Sequence, residues 1–225
     1  MKRSNQFLSL LILLTVGMML FTNFTLMKEY KTIDLSDPFK NYISLDYVPT
    51  NVLKLSGSNG YPIEVRHANE NGLKVLRSRT EHVIQSIHGD TTRIEFTGAS
   101  ISKQQSILSE TPPAIIIEVQ YLPELKTTDI HCRIKDFNTD ELNIGVGGHA
   151  LIEIGDCDFV SMIVDISDHG HLEFFHENRV DTMKLTMTNT SVAYLKNVNL
   201  HYIKQDLGEA VSVVLSNKVF DSLVE

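Results

Sequence analysis

Apolar residues return to the same places about every twenty positions through the C-terminal half of this chain, and no other feature limits its fold as strongly. Laying LNIGVGGHALIEI, from Leu142, over MIVDISDHGHLEFF, from Met162, puts Leu142 over Met162, Ile144 over Val164, Val146 over Ile166, Ile152 over Leu172 and Ile154 over Phe174. MKLTMTNTSVAYL begins one residue late at Met183, with Leu185, Met187, Val192 and Tyr194 in the apolar places, and IKQDLGEAVSVVL follows it. A third column runs through Val160, Val180, Leu200 and Phe220. An earlier copy puts Leu122 below Leu142, Cys132 below Ile152 and Ile134 below Ile154.

Within each copy apolar and polar residues alternate, which is the period of a strand, and Gly147, Gly148, Gly170, Asn189 and Gly208 separate the strands. One such coil cannot enclose a core. Stacked coils can, because each strand then pairs with its equivalent above and below and the apolar columns become continuous. The expectation is an all-β domain, a parallel β-helix or β-solenoid with coils of about 20 residues. An antiparallel sandwich also has short strands and many turns, but it does not keep columns in register over several copies.

Residues 122–222 carry the regular coils, and 40–121 are less regular. Strands are expected there at NVLKL, YPIEV, LKVLR, TRIEF and AIIIEVQ, with turns at Ser58-Asn59-Gly60, Asn71-Gly72 and Pro112-Pro113. This portion begins or caps the stack, since a solenoid end with bare strand edges needs a modified layer.

Ahead of the repeats, Phe7 to Met27 carries no charge and is long enough as a helix to cross a bilayer. Lys2 and Arg3 precede it, a bias that keeps the N-terminus in the cytoplasm. The run ends in Thr22, Asn23, Phe24, Thr25, Leu26 and Met27, without the small residues of a signal-peptidase site, so an uncleaved anchor is preferred to a signal peptide. Residues 1–31 are thus read as cytoplasmic stub and transmembrane anchor. Residues 32–225 are read as the domain it carries, periplasmic or extracellular, on the far side of that membrane.

Setting aside Lys2 and Arg3, 18 basic side chains face 28 acidic ones, a balance that argues against nucleic acid and anionic lipid as partners. Cys132 and Cys157 are too few for a disulfide scaffold and stand out of phase with each other in the repeat. Cys132 falls on an inward column, where a buried apolar role is expected.

The early turn in LKLSGSNGYPIEV, followed by strand, small-residue turn and strand in LNIGVGGHALIEI and LGEAVSVVL, resembles the head-GIN domain family of bacterial auto-transporter adhesins over about residues 40–217. The resemblance implies a right-handed β-helix at a bacterial envelope with no settled activity. SDHGH (167–171) and TNTS (188–191) depart from it, with bulkier polar residues where the family has Gly or Ser.

For chemistry, His149 aligns with His169 and Glu153 with Glu173 along one edge of the stack, where in-register strands lie about 4.8 Å apart. Carboxylates that close favour a bound cation, a protonated neighbour or splayed rotamers. Exposed charges need no partner, so no metal is expected, but His149, His169, Glu153 and Glu173 are the residues that would hold one. Asp165 and Asp206 share an outer face with Thr186 between them, a spacing compatible with an inverting glycosidase pair. No aromatic row for sugar stacking accompanies them, and neither a nucleophile motif nor a phosphate loop is present, since GVGGHA lacks a lysine and a following helix. The reading is a non-catalytic binding, adhesion or scaffold module with no cofactor and a protein or glycan ligand, attached to the membrane by its N-terminal helix. The alternative is a polysaccharide-acting enzyme using acidic residues on a β-helix face.

Overall fold

The computed structural model describes residues 2–32, 39–57, 61–97 and 112–215, with the side chains of 2–10 and 32 left aside. The chain divides into two compact units, Met1–Asn41 and Tyr42–Glu225.

In the first unit, helix α1 spans Lys2–Thr32. Its stretch Leu11–Lys31 has a mean hydropathy of 1.6 and exposes its apolar side chains, so it is long and apolar enough to cross a membrane. Thr15, Thr22 and Thr25 each donate their hydroxyl to the carbonyl four residues back, at 2.8–2.9 Å, which satisfies those three hydroxyl protons within the helix. The helix fits a single-pass anchor or a signal sequence.

The second unit is mostly β. Its strands are β1 (Tyr42–Leu45), β2 (Val52–Gly57), β3 (Ile63–His67), β4 (Gly72–Leu76), β5 (Val83–His88), β6 (Thr91–Phe96), β7 (Ile115–Val119), β8 (Glu124–Thr128) and β9 (His131–Lys135). They continue as β10 (Asn138–Gly147), β11 (Leu151–Gly155), β12 (Asp158–Ile166), β13 (His171–Phe174), β14 (Asn178–Met187), β15 (Val192–Leu195), β16 (Val198–Leu207) and β17 (Ser212–Leu215). A nine-stranded sheet runs in the order β1-β4-β7-β3-β9-β11-β13-β15-β17, and an eight-stranded sheet in the order β16-β14-β12-β10-β8-β2-β6-β5.

From β8 onward the chain alternates strictly between the sheets, and each strand pairs in parallel with the next strand but one. The aligned residues meet as the repeat requires: Leu142 pairs with Met162, Ile144 with Val164, Ile152 with Leu172 and Ile154 with Phe174. Their side chains are buried in one apolar cluster that both sheets share. Burial of this kind, at about 25 cal/mol per Å² of apolar surface, is the main force holding strands that are far apart in sequence.

Both sheets are mixed, and together they do not make one closed solenoid. β1, β4 and β5 run antiparallel to their neighbours, and the chain enters at β2–β3, doubles back through β4 and β5, and lays β6 and β7 beyond β2 and β3. All five strands expected in residues 40–121 are present as β2, β3, β4, β6 and β7, while β1 and β5 are additions. The turn at Ser58-Asn59-Gly60, Phe220 and the last residues of the expected coils lie outside the described residues.

Three alignments are corrected by the ladder. Val160 is 52 % exposed, and Val180 pairs instead with Phe159, so the inward column is Thr139, Phe159, Val180 and Leu200. Ala193 and Leu195, not Val192 and Tyr194, continue the column of Leu172 and Phe174. One cause explains both. Between β13 and β14 the turn is Phe175, His176 and Glu177, whereas the equivalent turn between β11 and β12 is only Asp156 and Cys157. Residues on either side of the extra one lie twenty-one apart, and a slip of one position sends a strand side chain to the opposite face. Likewise Leu125 pairs with Ile144, a step of nineteen, so Leu122 does not lie under Leu142.

Candidate binding surface

The corner where the chain leaves the nine-stranded sheet for the eight-stranded one is built alike in successive coils. A residue in left-handed conformation sits in each turn, at Asp136 (φ 61°), Asp156 (φ 58°) and His176 (φ 56°). Aspartate tolerates that region better than most residues, which is why Asp recurs there. The side chains of Phe137, Cys157, Asn178 and Val198 then turn inward and are buried. Asn178 fits where the extra residue has opened the ladder: its amide donates to the carbonyls of Phe175 (2.9 Å) and Ile154 (3.2 Å), and its Oδ1 accepts from Cys157 N–H at 3.2 Å. Outside this floor lies a groove of about 1200 Å³. Asp136, Asp156, His176 and Lys196 form one wall, and the paired row Asn138, Asp158, Arg179 and Asn199 forms the other. His176 Nδ1 lies 2.8 Å from Asp156 Oδ2 across adjacent coils.

At the other corner His149 and His169 meet as the alignment requires, their rings stacked at 5.0 Å and 9°. Neither imidazole converges with a carboxylate on a common point. His169 Nδ1 is bound to Thr190 Oγ1 at 2.6 Å, and Asp129 Oδ1 accepts from the backbone N–H of His149 at 2.8 Å. Among the described residues no group of three or more His, Cys, Asp or Glu is arranged to hold a metal ion. In SDHGH and TNTS the turns are made by Asp168, His169, Asn189 and Thr190, all of which hold positive φ.

Glu153 and Glu173 are ladder neighbours, but the expected repulsion is relieved by protein groups. Glu153 Oε2 accepts from Arg133 Nε at 2.8 Å and lies 2.7 Å from His131 Nε2. Burial alone would raise the Glu153 carboxyl, but His131 and Arg133 outweigh it and hold the group at about 2. The repeat pattern contains this partner, because Arg133 stands twenty positions before Glu153 and pairs with it in register.

Arg133 belongs to a row of ionic side chains on the outer face of the nine-stranded sheet. Glu64 pairs in register with Arg133 and lies 3.7 Å from Arg66 and 3.8 Å from Lys135; Glu118 joins Arg66 to Lys74. Burial raises the Glu118 carboxyl, and Lys74 and Arg66 more than reverse that. Farther along, His171 stacks on Tyr194 at 5.0 Å, and burial pushes its imidazole down against the pull of Glu173 and Glu153. Single-residue reading missed this row; comparing rungs across coils finds part of it.

Asp165, Thr186 and Asp206 do share one outer row of the eight-stranded sheet, preceded by Lys126 and Gly145. The hollow beside Asp165 is about 300 Å³ and is not lined by Asp206. Both cysteines are free and buried. Burial pushes the Cys132 thiol far up and that of Cys157 to about 12, so neither is a ready thiolate.

No family model matches this chain, and no curated protein matches it. Solved structures do. A protein of Bacteroides fragilis named as an adhesin is 13 % identical with a TM-score of 0.44, over 80 % of this chain and 96 % of its own. A protein of Parabacteroides distasonis named as lipid-binding is 10 % identical with a TM-score of 0.41, over 78 % of this chain and 93 % of its own. A protein of Parabacteroides merdae named as an adhesin is 13 % identical with a TM-score of 0.37, over 78 % and 95 %. Those names describe the proteins that bear them.

Proposed function

We propose that this chain is a non-catalytic binding or scaffold module of the head-GIN kind, with residues 1–31 as cytoplasmic stub and anchor in a bacterial membrane. Residues 32–225 then form a right-handed parallel β-helix on the far side, capped at its first coils by antiparallel strands. The observation that carries this reading is the corner groove. Its walls set one polar side chain from each of four successive coils side by side, Asp136, Asp156, His176 and Lys196 on one side and Asn138, Asp158, Arg179 and Asn199 on the other, so they offer an extended polar ligand a series of contacts along the stack. His149, His169, Glu153 and Glu173 take structural parts in this reading, as stacked turns and as a neutralised ladder.

The test uses the full-length chain in detergent micelles against arrayed glycans and purified envelope proteins. Binding that falls about tenfold in the double variant Arg179→Ala/Lys196→Ala supports the groove as the contact surface, since two hydrogen-bonded charges account for an effect of that size. Release of reducing ends from any glycan, lost on Asp165→Asn or Asp206→Asn, would establish the enzyme in its place. Protection of a C-terminal tag from protease added outside spheroplasts would overturn the proposed orientation.

A further inference from the structure

The eight-stranded sheet ends at β5, and the phase of its last ladder shows which backbone groups face outward. Thr97 N–H donates to His82 C=O at 2.7 Å, so His82 points at β6. Bonding alternates along an antiparallel pair, so Ile84, Ser86 and His88 also point their backbone groups at β6. Val83, Gln85 and Ile87 point theirs away. The Val83 N–H is used by Thr80 C=O, which leaves Val83 C=O and both groups of Gln85 and Ile87 without a backbone partner among the described residues.

Those three residues also face the core, because their ladder partners Phe96, Ile94 and Thr92 are fully buried. Ile87 is nevertheless 44 % exposed, and beside it Val48 is 50 % exposed, tied to this end by the Thr92 hydroxyl donating to Val48 C=O. Natural edge strands are protected by lysine, proline or a bulge. VIQSIH has none of these and carries no acidic, lysine or arginine side chain.

We propose that β5 pairs antiparallel with β5 of a second copy, about a twofold axis perpendicular to the sheet and midway between the two Gln85 residues. A register that keeps both cores on the same side must pair residues whose numbers sum to an even value. Centring on Gln85 places Gln85 opposite Gln85 and Val83 opposite Ile87. Those are the residues whose bonding groups face outward, so the two glutamines exchange a pair of backbone bonds and each Ile87 N–H reaches a Val83 C=O. Val83 of each copy meets Ile87 of the other, so the two outer inward columns continue through apolar contacts on either side of the paired Gln85 side chains, and Ile87 and Val48 lose their exposure. Charge agrees with this direction: the 3₁₀ turn Arg77–His82 brings Arg77, Arg79 and Glu81, one net positive charge, to the start of β5 and Asp90 follows its end, so antiparallel pairing sets the net basic end of each copy beside the acidic end of the other.

The experiment is disulfide trapping of the full-length chain in detergent at about 10 μM. Hydrogen-bonded antiparallel partners have Cα atoms about 5.5 Å apart, within reach of a disulfide, so Gln85→Cys should close a covalent dimer. Lys204→Cys, exposed on β16 at the far end, is the control. Paired sites meet at about millimolar effective concentration, so Gln85→Cys should cross-link roughly a hundredfold faster than the control. The native cysteines are buried and stay out of the reaction. Adding Ile87→Lys should abolish the trapping while leaving the melting temperature within a few degrees. Equal rates at positions 85 and 204, a monomer by sedimentation, or trapping that survives Ile87→Lys would each overturn the proposal; a dimer held by α1 alone gives the first of these.

Discussion

Replacing Glu153 with Gln isolates the strongest ionic contact on the outer face of the nine-stranded sheet. Lowering a carboxyl from its ordinary 4.5 to about 2 corresponds to roughly 3 kcal/mol of stability at neutral pH. The Glu153 side chain is 16 % exposed, so water screens the pair and about 1.5–2 kcal/mol is the working figure. For a domain of this size that is a loss of about 5 °C in Tm. A depressed carboxyl contributes its stability above the unfolded pKa, here 4.5, and the contribution disappears as pH falls through the folded value. The gap between wild type and Glu153→Gln should therefore be full at pH 7 and at least half closed by pH 3. Thermal unfolding of the full-length chain, followed by circular dichroism across that range, measures it. A gap that stays the same at pH 7 and pH 3 would refute the assignment of His131 and Arg133 as partners that hold Glu153 ionised.

Phe159→Ser should cost about 3 kcal/mol or more and Val160→Ser less than about 0.5, a contrast visible in denaturant midpoints that tests the corrected column directly. Gly148→Ala should destabilise by about 1–2 kcal/mol in thermal melts, since Gly148 holds φ 61° and an added Cβ would strike the Asp129 carboxylate. Cys132 and Cys157 should resist alkylation at pH 8 in the folded chain and react on unfolding in guanidinium, as mass spectrometry will show.

The coils were legible because stacking makes sequence period and spatial neighbour the same thing: Leu142 and Met162 announce their contact by spacing alone. Where the chain adds Glu177 that spacing changes by one, and alternation by itself does not say where the change occurs, so a constant period of twenty puts Val160 and Tyr194 on the wrong face. The antiparallel cap is less legible. VIQSIH mixes apolar and polar residues without a clean alternation, and nothing local in it specifies pairing with β6. Of the candidate site, the stacked histidines and the Glu153–Glu173 pair were visible as rungs. The counter-ions His131 and Arg133 required comparison with the coil before, and the groove required the positive φ values of Asp136, Asp156 and His176, which composition does not reveal.

The turn of Phe175, His176 and Glu177 also bears on how such a chain can diverge. Asn178 fills the gap that the longer turn creates, so the added residue is accommodated at one corner and the interior beyond it resumes with a step of twenty. Corners are therefore places where lineages can gain or lose single residues without repacking what lies inside. Alignments that insist on a constant repeat length will lose track of such proteins long before their folds diverge.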